Sequence, residues 1–214
     1  MTSEVLTIHS KTPEMRKIYE VADALRQGAV VLYPTDTGFT LGCELSNKEA
    51  IGRIRAIRRL PEEKAMTFLC GSLSNLSEFA KVSNTAYRTI KRLIPGPYTF
   101  VLPASKQVPK FAWDPKRKTA GIRVPVHNLS QILLKELDVP IISISAKFPD
   151  GVSISDPEML IKKFMPFVDV AVRSDAYNFL GESTVIDMTT DEFRIMRHGA
   201  GITKVLEYVD IENA

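Results

Sequence analysis

The sequence predicts an α/β fold in one domain, with helices flanking a twisted, mixed β-sheet. Predicted helices and short, buried strands interleave along the chain, which is typical of this class. The length of 214 residues suits a single domain of ordinary size. No repeat, low-complexity segment or shift in composition marks an internal boundary. We therefore predict one domain over residues 1–214.

The composition excludes several classes of protein. Hydrophobic residues make up 44% and charged residues 25% of the chain, as in ordinary globular proteins. No stretch approaches the roughly 18 apolar residues of a membrane span, and no signal peptide is recognisable. Cys43 and Cys70 are expected to be reduced and buried, and the scattered histidines show no metal-ligand spacing. We therefore expect a soluble, cytoplasmic protein without a structural metal or a membrane partner.

Basic residues are unevenly distributed, although the formal net charge is only +3. Such clustering can create a local positive field. Solvated helix faces and loops are the alternative explanation for each cluster, unless the three converge on one cleft. The three groups are Arg53, Arg55, Arg58, Arg59 and Lys64; Arg88, Lys91 and Arg92; and Lys110, Lys116, Arg117, Lys118 and Arg123.

Residues 1–28 are assigned to an N-terminal strand and helix. Thr12 is predicted to cap this helix, Pro13 suits its first turn, and Gly28 ends it. Its buried face has apolar residues at helical spacing, namely Ile18, Val21, Ala22 and Leu25.

Two strands and a second helix follow. Residues 29–33 form an apolar run that predicts a buried strand, and Pro34 is expected to end it. Residues 39–45 predict the next strand. Ser46 and Glu49 have the spacing of a capping box and predict the start of the second helix.

The remaining elements continue the alternation of strands and helices. Residues 61–64 are predicted to form a loop, and residues 200–214 a helix and tail. Ser155 and Asp156 signal a helix start before Pro157. Further strands are predicted at 65–70, 98–102, 119–124, 140–145, 168–173, 184–188 and 193–197, and further helices at 73–80, 84–93 and 129–137.

Five segments could carry chemistry, although neither glycine-rich phosphate loop is present. There is no G-x-x-x-x-G-K-[ST] and no G-x-G-x-x-G, so cationic and hydroxyl side chains would have to hold any phosphate. The first segment, residues 33–38, is polar and follows a buried strand, where ligand sites of open α/β sheets lie. A simple turn is the alternative for that segment. The other four are residues 58–64, 95–99, 121–125 and 141–147.

Two of these segments place polar side chains inside apolar strands. Burial of Arg123 is costly unless its guanidinium meets an anionic ligand or a paired carboxylate, and both alternatives stay open. Ser143 and Ser145 point to the same side of their strand, where lone serines are usually structural.

Five motifs, in this order and spacing, resemble the YrdC/YciO family over about residues 29–199. Each motif alone is weak, whereas the ordered set is specific. The motifs are Tyr33-Pro34-Thr35-Asp36-Thr37, Pro95-Gly96-Pro97-Tyr98-Thr99, Ile122-Arg123-Val124-Pro125, Ser183-Thr184-Val185-Ile186-Asp187 and Ile195-Met196-Arg197-His198-Gly199.

The resemblance implies a YrdC/RibB-like sheet with a concave, positively charged face. Family members make threonylcarbamoyl-adenylate from ATP, L-threonine and bicarbonate and release pyrophosphate. Partner proteins then transfer the threonylcarbamoyl group to tRNA. Binding of double-stranded RNA is also attributed to this fold, and Mg²⁺ is expected to accompany ATP.

The resemblance also implies roles for individual residues. Three cations are expected at the catalytic centre, and hydroxyls are expected to contact the amino-acid substrate. The expected catalytic residues are Arg58, Lys64 and Arg123. The expected substrate-binding residues are Thr35, Thr37, Thr67 and Thr99, and the expected ATP-binding residues are Arg59, Ser143, Ser145, Lys147, Ser183 and Arg197.

Two departures from the synthase pattern point to the YciO-like branch. The synthases carry K-x-R where this chain has Arg58-Arg59-Leu60, and S-x-N where it has Ser145-Ala146-Lys147. Arginine and lysine are not interchangeable at a phosphate site. Three hypotheses follow: a threonylcarbamoyl-adenylate synthase, an RNA-binding accessory protein on the same scaffold, and a related ligase for a different small acid.

Overall fold

The computed structural model describes residues 3–61, 64–149 and 154–209, which form one ten-stranded sheet with flanking helices. The strands are β1 Glu4–Ile8, β2 Val31–Thr35, β3 Gly38–Glu44, β4 Thr67–Leu69, β5 Tyr98–Pro103, β6 Thr119–Arg123, β7 Ile141–Ser145, β8 Val170–Ser174, β9 Thr184–Asp187 and β10 Arg194–Arg197. The helices are α1 Met15–Arg26, α2 Lys48–Arg58, α3 Leu73–Phe79, α4 Asn84–Leu93, α5 Asn128–Leu137, α6 Pro157–Phe164 and α7 Ile202–Val205, with a 3₁₀ turn at Met165–Phe167.

The sheet is mixed, as predicted. Its strand order is β1-β8-β2-β3-β7-β4-β6-β5-β9-β10. The pairs β1–β8, β2–β8, β4–β6 and β5–β9 are parallel, and the other five are antiparallel. The predicted α/β class is therefore confirmed.

Helices cover the two faces of the sheet unequally. On one face, the apolar sides of α2, α3, α4 and α6 pack on residues such as Phe68, Phe100 and Ile142 in the larger core. On the other face, α1 and α5 cover only the part around Val31 and Tyr33. Successive side chains along a strand point to opposite faces of the sheet. The residues next to those of the larger core therefore point to the uncovered part of the other face. These neighbours are largely polar, and they line a cavity.

The β2–β3 hairpin corrects the prediction that Pro34 ends its strand. Strand β2 continues to Thr35 and pairs with β3 along its whole length. Its other neighbour, β8, pairs only with Val31 and Leu32. Beyond Leu32 that side of β2 has no ladder partner, so the missing N–H of Pro34 breaks no ladder.

Gly42 in β3 is required by a close approach. A Cβ atom at this position would lie 2.7 Å from the ring of Tyr33 and 2.8 Å from Ile141. The absence of a side chain therefore lets the fully buried Tyr33 ring approach the backbone of β3 closely.

Two helix caps differ from those predicted. Helix α1 begins at Met15 after Glu14, and the Thr12 hydroxyl contacts His9 instead of capping the helix. Helix α2 is capped by Asn47, whose side chain accepts a hydrogen bond from the N–H of Ala50 at 2.9 Å. Ser46, the predicted cap, donates to the Glu44 carboxylate. Both predictions misplaced the helix start by one residue or more, because several residues there could act as caps.

The other predicted elements are confirmed, with bounds that differ by a few residues. Strand β4 is shorter than the predicted 65–70. Asp156 caps α6 and Pro157 occupies its first turn, as predicted. Glu62 and Glu63 of the predicted loop and residues 210–214 of the predicted tail lie outside the described residues. Within the described parts of the chain, no helix is long and apolar enough to cross a bilayer.

Candidate active site

A cavity of about 440 Å³ lies on the uncovered face of the sheet. This volume is within the range of roughly 300–1,000 Å³ that small-molecule sites occupy. Strands β3, β4, β5, β6, β7, β9 and β10 contribute to its wall, and most of the lining side chains are hydroxyls or cations. The cavity therefore lies where the helical layer formed by α1 and α5 ends.

Nine of the thirteen predicted site residues line this cavity. They are Thr37, Lys64, Thr67, Thr99, Arg123, Ser143, Ser145, Ser183 and Arg197. Thr67 lies on β4, and the other eight come from the five segments singled out in the sequence and from the motifs around residues 183 and 197. The remaining four predicted residues, Thr35, Arg58, Arg59 and Lys147, lie behind or beside the wall.

Hydroxyl groups from neighbouring strands form one side of the cavity. In the sheet register, Thr67 faces Ser143, and Thr40 faces Ser145. In the described parts of the chain, the hydroxyls of Thr67, Ser145 and Thr119 have no side-chain hydrogen-bond partner. These groups are therefore available to a ligand. Their shared orientation confirms that Ser143 and Ser145 point to one side of β7.

The opposite side is a hydrogen-bonded group formed by Thr99, Ser183 and Arg197. The Thr99 and Ser183 hydroxyls lie 2.9 Å apart. The Arg197 guanidinium donates from Nε and NH2 to the Ser183 carbonyl oxygen, at 3.0 and 2.8 Å. Arg197 is therefore fixed by backbone, with its guanidinium at the cavity wall.

Gly199 makes this arrangement possible. A Cβ atom here would lie 2.3 Å from the carbonyl oxygen of Glu182 and 2.6 Å from the carbonyl carbon of Ser183. The next residue, Ala200, donates its N–H to the Glu182 carbonyl at 2.7 Å. The glycine of the last sequence motif therefore lets the segment after β10 press against Glu182 and Ser183 and hold them at the cavity.

Arg123 forms a buried ion pair with Asp36. Its NH2 donates to the Asp36 carboxylate, its NH1 to the Thr37 hydroxyl, and its Nε to the Gly96 carbonyl at 3.4 Å. The side chains of Arg123 and Asp36 are only 6% and 3% exposed. The sequence left two possible partners for Arg123, an anionic ligand or a carboxylate. The structure shows the carboxylate, and the guanidinium also reaches the cavity wall.

Burial controls the ionisation of the groups around this pair. Burial lowers the pKa of Arg123, and the neighbouring Asp36 carboxylate opposes this shift. Burial also lowers the pKa of His127, which keeps that imidazole neutral near neutral pH. Burial raises the pKa of the Tyr33 hydroxyl, and Ser143 offsets part of the increase. Asp36 is therefore the buried group that balances the charge of Arg123.

Thr35 lies behind the wall and not on it. It is 1% exposed, and its hydroxyl donates to the Gly38 carbonyl at 2.9 Å. The same oxygen accepts from the N–H of Thr37 at 3.2 Å. The structure therefore places Thr35 beneath the turn that presents Thr37, and its direct contact with substrate stays a prediction.

Arg58, Arg59 and Lys147 also lie outside the cavity lining. Arg58 donates to the backbone carbonyl of Lys147, and burial lowers the pKa of its guanidinium. Arg59 is exposed and forms the left-handed C-cap of α2. Lys147 makes an ion pair with Glu182, which does line the cavity.

Most cations at the cavity have carboxylate partners. Four cations and two carboxylates line it, which agrees in sign with the predicted positive face. Arg117 pairs with Asp187, Arg123 with Asp36, and Arg197 with Glu182 at 3.4 Å. Within the described residues, Lys64 has no carboxylate partner.

The three basic clusters of the sequence converge only in part. Lys64 represents the first cluster at the cavity, and Arg117 and Arg123 represent the third. The second cluster, on α4, does not line it. Arg53 of the first cluster pairs with Asp169 on another part of the surface.

Several lining residues were not identified from the sequence. Glu182 and Asp114 are the carboxylates of the cavity, and Arg117 lies in a run that could be recognised only as basic. The position of Glu182 directly before the predicted Ser183 was a usable signal. Thr40 and Thr119 have no comparable signal, because a threonine facing a cavity looks the same in a sequence as one facing solvent.

Comparison with known proteins identifies the scaffold. Residues 23–199 match the Sua5_yciO_yrdC family model, described as "Telomere recombination". The crystal structure of Escherichia coli YciO is 38% identical, with a TM-score of 0.88 over 95% of this chain and 98% of that one.

The chain belongs to the Sua5/YciO/YrdC family. It is also 34% identical over 132 residues to the threonylcarbamoyl-AMP synthase of Vibrio vulnificus, covering 60% of this chain and 70% of the synthase. The crystal structure of P. abyssi Sua5 complexed with L-threonine has a TM-score of 0.85 at 27% identity. The match spans 96% of this chain and 61% of that longer one. The family resemblance seen in the sequence motifs is thereby confirmed.

Proposed function

We propose that this protein binds ATP and L-threonine in the cavity and joins them with bicarbonate to make threonylcarbamoyl-adenylate. The observation that carries this proposal is the cavity itself, in which hydroxyls face four cations on the scaffold of a family that includes a synthase. Support comes from the synthase relative and from the threonine complex of Sua5.

The cations suit a ligand that carries several negative charges. Lys64 and Arg197 are placed to contact phosphate oxygens, and arginine can do so with two parallel hydrogen bonds. The hydroxyls of Thr67, Ser143 and Ser145 provide donors on the other side. Phosphate would then be held without a glycine-rich loop, as the sequence predicts.

The reaction needs positioning more than proton transfer. The threonine amine adds to carbon dioxide derived from bicarbonate, and a carbamate oxygen then attacks the α-phosphorus of ATP. The bond from that phosphorus to pyrophosphate breaks, and pyrophosphate leaves with its electron pair. Cations fixed at the wall stabilise the charge on the leaving group, and the cavity aligns the two reactants.

Mg²⁺ fits this site as a companion of the nucleotide. Magnesium ions usually take one or two carboxylates together with phosphate oxygens and water. Asp114 lines the cavity, and its Oδ1 accepts the N–H groups of Lys116 and Arg117, while its Oδ2 has no hydrogen-bond partner among the described residues. The described residues contain no cluster of three or more metal-ligating side chains.

Pyrophosphate release tests the proposal. Purified protein should release pyrophosphate only when ATP, threonine and bicarbonate are all present. Lys64→Ala should lower the rate, whereas Lys110→Ala, which removes an exposed lysine away from the cavity, should not. The proposal fails if threonine and bicarbonate have no effect on pyrophosphate release and the protein does not rescue cells that lack their threonylcarbamoyl-AMP synthase.

RNA binding is a second candidate, favoured by basic residues that the cavity does not use. Arg88, Lys91 and Arg92 lie exposed on α4. Contacts with phosphates would make the affinity fall steeply with salt, and recognition by shape would favour duplexes. Binding that is insensitive to salt, or no binding, would exclude this candidate.

The substrate and the cellular setting are part of the proposal. A thermal-shift screen of amino acids in the presence of ATP separates threonine from another small acid, since a bound ligand stabilises the folded state. We place the reaction in the cytoplasm, upstream of tRNA-modification proteins that accept the threonylcarbamoyl group.

A further inference from the structure

An ion-paired triad lies at the edge of the cavity. Lys147 Nζ pairs with Glu182 Oε1, and Arg197 NH1 lies 3.4 Å from Glu182 Oε2. Both oxygens of this carboxylate are therefore held by cations. Glu182 and Arg197 line the cavity. The proposed catalytic chemistry assigns no task to Glu182.

The triad joins two flanks of the cavity. Lys147 follows β7, and Glu182 precedes β9, which lies four places away in the strand order. At about 4.8 Å per strand, those positions would be roughly 19 Å apart in a flat sheet. The ion pair between Lys147 and Glu182 therefore bridges one edge of the cavity, across the strands that form the cavity floor.

The segment that carries Glu182 runs across the sheet outside the strands. Residues 175–183, here called the crossing segment, connect β8 to β9 and contain no helix or strand longer than a single bridge. The Leu180 N–H donates to the Asp36 carbonyl at 2.7 Å, and the Phe179 ring lies 5.6 Å from that of Phe39. Phe179 and Leu180 are still 40% and 54% exposed. The backbone of Glu182 and Ser183 is held by Ala200 and Arg197, whereas the Glu182 side chain is held only by the two cations of the triad among the described residues.

The three side chains of the triad are 44–55% exposed. Ion pairs at this exposure are weak, because water and salt screen them. An anion with several charges would compete well for both cations, since it offers them more charge than one carboxylate does.

We propose that Glu182 occupies an anion subsite formed by Lys147 and Arg197, and that the polyphosphate of the incoming ligand displaces it. Glu182 is then a specificity-determining residue. A monoanion gains little binding energy by displacing Glu182, whereas a di- or triphosphate gains contacts with both Lys147 and Arg197. This inference rests on the proposed function only in taking a polyphosphate as the ligand.

Displacement would also loosen the crossing segment around Leu180, while the backbone contacts of Glu182 and Ser183 with Ala200 and Arg197 remain. Once Glu182 leaves the two cations, the segment loses the ion pair that connects it to Lys147. The hydrogen bond from the Leu180 N–H to Asp36 should then open more often. The backbone amides of residues 180–182 should therefore exchange their hydrogens faster when the subsite is filled.

Binding of inorganic tripolyphosphate, measured by calorimetry on the full chain, tests this subsite without any turnover. Glu182→Gln keeps the size of the side chain and removes its charge, so it should bind tripolyphosphate about 3- to 10-fold more tightly than the wild type. Orthophosphate should gain less. Glu20→Gln, which removes an equally exposed and ion-paired carboxylate on α1, should change neither affinity.

Lys147→Ala provides a second, independent variant. It should weaken tripolyphosphate binding, and adding Glu182→Gln to it should restore less affinity than the same change gives in the wild type. Hydrogen exchange at residues 180–182 should rise when tripolyphosphate is added to the wild type, and should already be high in Glu182→Gln.

The outcomes separate this inference from the proposed function. Equal or weaker binding by Glu182→Gln overturns the inference, as does the absence of tripolyphosphate binding in both proteins. If the affinities shift as expected but threonine and bicarbonate do not stimulate pyrophosphate release, the subsite stands and the synthase proposal fails.

Discussion

Arg123 shows how a single residue connects the core to the cavity. Its guanidinium is buried, yet it reaches the cavity wall, and Asp36 neutralises it from behind. A buried ion pair stabilises little in itself, but removing one partner leaves an uncompensated charge inside the protein. Arg123 therefore depends on Asp36 for its presence at the site.

We expect Asp36→Asn to lower the free energy of unfolding by about 3–5 kcal/mol, because the charge of Arg123 would lose its carboxylate. Urea denaturation measures the loss. Glu158→Gln, which breaks an exposed pair with Arg173, should cost at most about 1 kcal/mol. Equal losses in the two variants would show that the buried pair is not special.

At the scale of secondary-structure elements, side chains near the strand ends hold the layers together. The Asp169 carboxylate, just before β8, accepts the N–H of Val30 at 2.7 Å and two hydrogen bonds from Arg53, at 2.7 and 3.0 Å. Asp169 therefore ties α2 to the sheet where β2 begins. Burial raises its pKa, but the hydrogen bonds from Arg53 and Val30 outweigh burial and leave that pKa lowered.

Asp169→Asn should cost about 1–3 kcal/mol of stability at neutral pH. A lowered folded-state pKa means that the stabilisation is complete above the unfolded value of about 3.9 and is lost as the pH falls through the folded value. The difference in stability between wild type and variant should therefore shrink at acid pH. Denaturation at several pH values measures it, and a difference that grows towards acid would contradict this assignment.

The cap of α2 gives a second prediction at this scale. Asn47→Ala should lower the free energy of unfolding by about 1 kcal/mol, since the N–H of Ala50 loses its acceptor. Ser46→Ala is the matched control, and it should cost less than half as much. A larger loss of stability in Ser46→Ala than in Asn47→Ala would support the capping box that the sequence predicted.

At the scale of the whole molecule, the cavity exists because two helices cover only part of one sheet face. Gly121 in β6 lies on the floor of the uncovered part. A Cβ here would meet Thr99 at 3.4 Å and Thr67 at 3.6 Å, which the structure can accommodate with little movement. A larger side chain at this position would extend into the cavity.

Gly121→Val should therefore weaken ATP binding by about tenfold or more, because the added methyl groups overlap the ligand volume. The fold should be retained, since valine suits a strand. Calorimetry and thermal unfolding measure the two effects. Gly52→Ala, on an exposed position of α2, should leave binding unchanged. Loss of folding along with binding would mean that Gly121 is needed for the sheet itself.

Local sequence patterns were enough to predict the α/β class, the order of most elements, the family and nine of the residues that line the cavity. These features depend on local patterns: apolar periodicity, turn residues and ordered motifs. Pro34 and Ser46 mark the limit of such patterns. Whether a proline ends a strand depends on which neighbour the strand lacks, and which of several polar residues caps a helix depends on where the helix is held.

Which charged side chains form pairs could not be predicted without the three-dimensional structure. Arg123 and Asp36 are far apart in the chain, as are Lys147 and Glu182, and the sequence shows neither pairing. Electrostatic interactions depend on distance and burial, which the strand order of the sheet sets. The structure likewise shows that the buried Thr35 hydroxyl bonds within the turn that presents Thr37. It also showed that Lys147, which replaces an asparagine of the synthases, is held by a carboxylate at the edge of the cavity.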